Sequence, residues 1–546
     1  MAQSRNMQDF IDQLLLHEPL DAVRMLGDQL ADTTWQDMDE PKISATVTAL
    51  LPFLTRLAGR LRASLRQSGL PLSESGRAQL DGLLRLYRYA QLMLNLKLTA
   101  LHEQTDESLI SEYLVRAHQD QVDWAVRCIL DCYVSYVDVP KSLYIDLHQL
   151  VDLARVELQN HHPVGWQSIY QHYVAILTLA IVNPYGLTPE EMEDDFNCLI
   201  QMGGAIKLVH DQPTPTSRFI DMTGKIMPHI ALTPRASLTV QGVFLDVSGL
   251  YQPELAINLS PVCQTQLHNL LERLQFYFVG RPQRAELDAA HKEEGEQSCL
   301  VTLGFLSVHH RLERLDSADA KPDNTIALAG LDWEGLEQPI RGAVKPLSGV
   351  DEFKLDINTG HTKTDVDWDA GVGVHRTGTG ARAILNSPST WDVVNFSPTG
   401  FRFHWRLSSN SHAAVDDLLL VELPRAASAK PVMRTGLAIG VVRWVRHMDA
   451  EHKTIDMGVQ RLSGTVFASY ARDYRAEGNR WSKSWPVIVQ FDEHAVLTRV
   501  VVASALVVET QEILVMQNEH EVHVRLGAVC QTGQGFLIME ARRVDA

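Results

Sequence analysis

The chain has 546 residues, 45% of them hydrophobic and 21% charged, with a formal net charge of −18. That length exceeds what one core supports and points to about three to five folding units of ordinary globular composition. Charge this negative excludes a general binder of nucleic-acid polymers, which needs a basic footprint, but leaves room for a small anion in a local basic pocket.

The first residues, MAQSRNMQDFIDQLLLHEP, have no long apolar core and carry acids early, so they do not read as a secretory signal. The most apolar run, Val174 to Val182, falls far short of the ~20 residues that span a bilayer. A cytoplasmic protein without direct membrane insertion is expected. Of the six cysteines (Cys128, Cys132, Cys198, Cys263, Cys299 and Cys530) only the first two stand close, and no further zinc ligands follow at compatible spacing. They read as buried free thiols of a reducing compartment, with no metal implied.

Residues 1–205 read as helix after helix. Lys42 to Gln67, Leu80 to Gln104, Val115 to Tyr136, Leu143 to Gln159 and Gly165 to Asn183 place apolar residues at helical spacing. Asn183-Pro184 stops the last of these, and Thr188 is the expected N-cap of a helix opening on Pro189-Glu190-Glu191. Short connections fit a helical bundle or a solenoid, without a clean repeat consensus. Residues 206–314 read as a small mixed α/β module, with β-rich stretches at Ala205 to His210, Arg218 to Asp221 and Ser237 to Asp246, a helix at Gln264 to Val279, and an apolar patch at Cys299 to His310. Residues 315–383, rich in Gly, Asp, Thr and Ser, read as a linker. From 384 the chain turns strongly β. Trp391 to Val394, Gly400 to Trp405, Leu418 to Leu423, Leu437 to Val445 and Thr454 to Leu462 are strand candidates of a barrel at 384–465. Pro486 to Gln490, Leu497 to Val508, Glu512 to Gln517, Val522 to Leu526 and Gly535 to Ala541 continue into a β-rich extension or second barrel at 466–546. The expected fold class is multi-domain α+β.

The informative stretch is WDVVNFSPTGFRFHW, residues 391–405, where Asn395, Ser397 and Gly400 stand as N-x-S-x-x-G. Asn and Ser side chains can bond backbone and ligand edges from a tight turn, and Gly permits close approach or positive φ. Downstream come IGVVRWVRH (Ile439 to His447) and TIDMGVQRL (Thr454 to Leu462). In order and spacing these segments resemble the PilZ domain, over roughly residues 384–465. The resemblance implies a small β-barrel whose turn residues Asn395, Ser397 and Gly400 line a site for cyclic di-GMP. Members of the family add an R-x-x-x-R segment just upstream, whose guanidinium groups stack on guanine and fork onto phosphate. Here no R-x-x-x-R precedes Asn395. The nearest basic pair is Arg376 and Arg382, in HRTGTGAR, spaced by six. The only literal R-x-x-x-R nearby is Arg402 to Arg406, after the motif, on one face of a strand because the separation is even. Arg376 and Arg382 are the first candidates for the basic half of the site, Arg402 and Arg406 the second. A plain hairpin turn of a small barrel is the competing reading.

The layout also resembles PilZ-containing bacterial proteins linked to type IV pili and surface attachment, with VTLGFLSVHHRL read as a linker feature of that group. The implied function is that of a non-enzymatic effector or adaptor, with cyclic di-GMP as its ligand and protein partners on the helical region. The alternative is an interaction scaffold with a degenerate, non-binding barrel. Catalytic patterns do not emerge. His309-His310 and His161-His162 are adjacent and so point to different faces. Asp365, Asp367 and Asp369 lack the downstream Gly and Glu of a calcium loop. RTGTGAR lacks the Lys-Ser/Thr of a P-loop, and no G-x-S-x-G elbow is present. LDVSGLYQ, Leu245 to Gln252, imitates the start of the motif but has Tyr251 where Gly would stand, and reads as a strand end and turn.

Overall fold

The computed structural model describes residues 9–32, 40–67, 72–102, 107–209, 217–223, 242–252, 259–275, 297–319, 388–397, 400–406, 413–423, 437–448, 454–474, 485–492, 494, 496–504, 512–517 and 520–544. The chain divides into two compact units, residues 1–287 with 446–453, and residues 288–445 with 454–546.

The first unit is mainly helical: α1 (Pro19–Asp32), α2 (Glu40–Arg66), α3 (Glu74–His102), α4 (Glu107–Val134), α5 (Lys141–Leu158), α6 (Pro163–Ile181) and α7 (Pro189–Met202). The apolar stripes foreseen from helical spacing form its core. Phe53, Leu57 and Leu61 of α2 share one buried cluster with Leu83, Leu86 and Ala90 of α3 and with Val23 and Leu26 of α1. Helix α6 differs, because every residue from Tyr173 to Ile181 is buried. A helix apolar on all sides belongs at the centre of its unit, which accounts for the run Val174 to Val182 without a bilayer. Among the described residues no helix is long and apolar enough to cross a membrane. The chain leaves α6 through Asn183 in the left-handed region (φ 60°) and enters α7 through a capping box. There Glu191 N donates to Thr188 Oγ1 at 3.3 Å and Thr188 N donates to the Glu191 carboxylate at 2.9 Å, with Pro189 in the first turn.

Two buried polar pairs stand inside this unit. The Tyr133 and Tyr144 hydroxyls lie 2.5 Å apart, and His148 Nδ1 lies 2.8 Å from the Tyr173 hydroxyl. Burial pushes the His148 imidazole down to about 4. As pH falls, the unfolded chain therefore takes up that proton first, near the ordinary value of about 6.5. The contribution of His148 to stability is whole above about pH 6.5 and is lost as pH falls toward 4, by roughly 3 kcal/mol. Asp195, raised to about 6 by burial, acts in the opposite direction, so a variant isolates the histidine. His148→Gln is expected to gain roughly 3 kcal/mol relative to the wild type as pH falls from about 6.5 to about 4 in urea denaturation, whatever the slope set by the other groups; parallel curves for the two proteins would refute this.

After α7 come β1 (Lys207–Val209), β2 (Ser217–Asp221) and β3 (Gly242–Asp246), in the antiparallel order β1-β3-β2, and then α8 (Pro261–Leu274). Tyr170 of α6 ties the sheet down. Its hydroxyl donates to Ile206 O at 3.1 Å and accepts from Leu208 N at 3.0 Å. Arg273 of α8 pairs with the buried Asp195 of α7 at 2.5 Å. The LDVSGLYQ segment is a strand end and turn, closed by Ser248 N donating to Asp246 at 3.0 Å.

The second unit holds β4 (Gln297–Leu303), α9 (Phe305–Asp319), β5 (Ser389–Ser397), β6 (Gly400–Arg406), β7 (Leu418–Glu422), all but the last two residues of β8 (Leu437–His447), β9 (Thr454–Arg461), β10 (Thr465–Asp473), β11 (Trp485–Phe491), β12 (Leu497–Ala503), β13 (Glu512–Gln517), β14 (His520–Gly533) and β15 (Phe536–Arg543). They close into two barrels, β4-β5-β6-β9-β8-β7 and β10-β11-β12-β15-β14-β13. If the strands of each barrel are counted along the chain, both have the order 1-2-3-6-5-4. The chain is thus a multi-domain α+β protein with one barrel topology built twice.

Here the sequence boundaries require correction. The patch Cys299 to His310, read with the 206–314 module, forms β4 and the start of α9, and VTLGFLSVHHRL is a strand and helix rather than a linker feature. Strand β4 pairs with β5 and β7 of the first barrel. The helix extends to Asp319, into the stretch read as linker. Gly304, at φ 87°, turns the chain from strand to helix. Phe305, Val308 and Leu312 of α9 share one core with Leu418, Leu420, Ile439 and Val441 of the first barrel and with Val466, Ile488, Val501 and Ile538 of the second. Three polar contacts flank that core. Arg311 forks onto Glu422 at 2.7 and 2.8 Å, His309 Nε2 lies 2.7 Å from Ser469 O, and the Tyr470 hydroxyl donates to Glu313 at 3.1 Å. Two smaller differences remain. Strand β10 was not foreseen, and Cys530 is exposed while the other five cysteines are buried free thiols.

Candidate ligand site on the first barrel

Strands β5 and β6 carry the N-x-S-x-x-G motif across their hairpin. Trp391 and Val393 of β5 and Phe401, Phe403 and Trp405 of β6 are buried. Trp391 stacks on Trp405 at 4.9 Å and meets Phe403 edge-on at 5.6 Å. Simple alternation would send Asn395 into the same interior as Trp391 and Val393. A bulge prevents this. Val393 pairs with Phe403, but the next pair is Asn395 with Arg402, so Val394 is the extra residue. Asn395 therefore stands on the outer face and is exposed.

Ser397 pairs with Gly400, and Gly400 in turn pairs with Gln460 of β9. The side chain of Ser397 lies outside the described residues. A Cβ on Gly400 would stand 2.6 Å from the Val459 carbonyl oxygen. Of the two reasons for glycine foreseen here, close backbone approach is the one realised, since Gly400 is not among the positive-φ glycines of the described residues.

Arg402 forks onto Asp456 of β9, with Nε at 2.9 Å and Nη2 at 2.7 Å. Asp456 is buried, Arg402 is partly exposed, and His404 Nε2 lies 3.8 Å from the same carboxylate. The guanidinium is held on the outer face with much of its charge balanced. Arg406 pairs through its backbone with Thr454, and its side chain lies outside the described residues. Arg376 and Arg382 also lie outside the described residues.

Two residues of this face were not assigned from sequence, although both stand in IGVVRWVRH. Arg443 Nε donates to Gln460 Oε1 at 2.7 Å and its Nη1 to Asp416 Oδ1 at 3.1 Å. The Trp444 indole covers Gly458 of β9 so closely that a Cβ there would lie 1.9 Å from Nε1. The outer face around the turn thus gathers Asn395, Gly400, Arg402, Gln460, Arg443 and Trp444. Amide, guanidinium and indole groups together suit an anion that carries flat heteroaromatic rings. No His/Cys/Asp/Glu cluster fit for a metal occurs among the described residues. In the second barrel the equivalent connection, between β11 and β12, is closed on itself, with Asp492 Oδ1 accepting from His494 N and Val496 N, both at 2.9 Å.

Residues 5–213 match the family model described as Cyclic-di-GMP receptor FimW, N-terminal domain. The match spans α1 to α7 and β1 and ends before both barrels. It is therefore independent of the β5–β6 motif. No curated protein and no solved structure matches the chain.

Proposed function

We propose that this chain is a non-enzymatic cyclic di-GMP receptor whose first barrel is PilZ-like and takes the nucleotide on its outer face. Asn395, Ser397 and Gly400 form one edge of the site, and the helical unit presents the surface for protein partners. The observation that carries this reading is the bulge at Val394, which turns Asn395 outward beside Arg402. The match of residues 5–213 to a cyclic di-GMP receptor family supports it from a separate part of the chain. Control of type IV pili or surface attachment is the setting the layout suggests.

Charge decides what else the site needs. A chain of net charge −18 repels a dianionic ligand, so guanidinium groups must attract it locally. Arg402 is matched by Asp456, and Arg443 by Asp416. We assign the remaining cationic attraction to Arg376 and Arg382. Arg376→Ala with Arg382→Ala is expected to weaken cyclic di-GMP binding at least tenfold in calorimetry, about 1.4 kcal/mol. Unchanged affinity in that variant, with loss in Arg402→Ala, would place the whole site on the barrel face. The matched charges of Arg402 and Arg443 also favour a second reading, a scaffold whose barrel has lost its ligand. Absence of binding heat from the unmodified chain would establish it.

A further inference from the structure

Building on the proposed ligand site, we infer that Trp444 is the platform on which a purine base of the nucleotide stacks. Three neighbouring strands contribute to it. Asn395 of β5 pairs with Arg402 of β6, and Arg402 pairs with Gly458 of β9. Gly458 has no side chain, and the Trp444 indole from β8 lies over the place where one would be. Reading across the sheet, the outer face therefore presents amide, guanidinium and indole in one row. Neighbouring strands are about 4.8 Å apart, so the row spans about 10 Å. The indole is half-buried, with Gly458 beneath it.

This arrangement has a chemical consequence. A purine laid on the indole gains stacking, and its phosphates then fall toward the guanidinium side of the row. The bidentate grip of Asp456 fixes Arg402 at 2.7 and 2.9 Å, so the cation is already oriented when the ligand arrives. Gly458 is the residue that permits the geometry, because any side chain there would displace the ring.

An indole over a strand glycine can also serve only to cover the backbone, and the test separates the two roles. Trp444→Leu still covers Gly458 but has no aromatic face, whereas Trp444→Phe keeps one. Cyclic di-GMP is titrated into the unmodified chain and both variants, with thermal unfolding measured in parallel. The expected result is at least tenfold weaker binding in Trp444→Leu and near-normal binding in Trp444→Phe. Fluorescence adds a readout, since the chain has 10 tryptophans. Ligand-dependent quenching should be present in the unmodified chain and much reduced in Trp444→Phe. Equal affinity in all three proteins would overturn the platform and leave the receptor reading intact. Should Trp444→Leu unfold, loss of binding in a folded Trp444→Phe, or undiminished quenching in it, would overturn the platform. No binding heat from the unmodified chain would overturn both the receptor reading and the platform.

Discussion

Arg311→Met is expected to destabilise the two-barrel unit by about 3–5 kcal/mol, the loss typical of breaking a buried ion pair from one side. Arg311 and Glu422 are each only 9% exposed and meet in a two-pronged contact, so removing the guanidinium strands a carboxylate away from water. The pair ties α9 to β7 of the first barrel, while His309 and Tyr470 tie the same helix to β10 of the second. Arg311→Met with Glu422→Leu should recover most of the loss, because an apolar pair of similar size needs no desolvation. The exposed pair Arg24–Asp21 is the control, and Arg24→Met should change stability by less than about 1 kcal/mol. Urea denaturation followed by tryptophan fluorescence measures all three. A loss below 1 kcal/mol for Arg311→Met would show that the helix is not clamped as described.

Helix α9 also shows where the sequence stops being legible. Signals that live within one element were readable. The stripes of α2 and α3, the encircling apolar surface of α6 and the Thr188 capping box depend on residues a few positions apart. The N-x-S-x-x-G turn was likewise visible as local turn chemistry. Contacts made across the chain were not. The barrel partners of β4 lie near residues 390 and 420, and the strand has no adjacent hairpin to announce it. Strand β10, TVFASYARD, mixes Ala, Ser and Arg into its alternation, which hides the period. In the motif, Asn395 could be singled out from the sequence but its outward direction could not, since that depends on the Val394 bulge against β6. Trp444 was not singled out because its contact is with Gly458 on another strand. The duplicated strand order is a property of pairing alone and leaves no readable repeat.

The second large effect is expected at Gly400. Gly400→Val places a branched side chain where even a Cβ would sit 2.6 Å from the Val459 carbonyl oxygen. Strand β6 must move away from β9 at the motif end, at a cost of about 1–3 kcal/mol for overpacking. That shift separates Gly400 from Gln460 and carries the Asn395–Arg402 pair with it, so cyclic di-GMP binding should fall below detection. The helical unit should keep its α-helical circular dichroism. Normal binding in a folded Gly400→Val protein would reject the turn as the site.

Because that variant perturbs the barrel, Asn395→Ala gives the cleaner contrast. Asn395 is exposed, and substitutions at such positions usually change stability by no more than about 0.5 kcal/mol. The most direct measurement is a calorimetric titration of cyclic di-GMP into the full chain and into Asn395→Ala, with melting temperatures recorded for both. The expected result is saturable binding to the unmodified chain and at least tenfold weaker binding to Asn395→Ala at an unchanged melting temperature. No heat from the unmodified chain, or equal affinity in the two proteins, would contradict it.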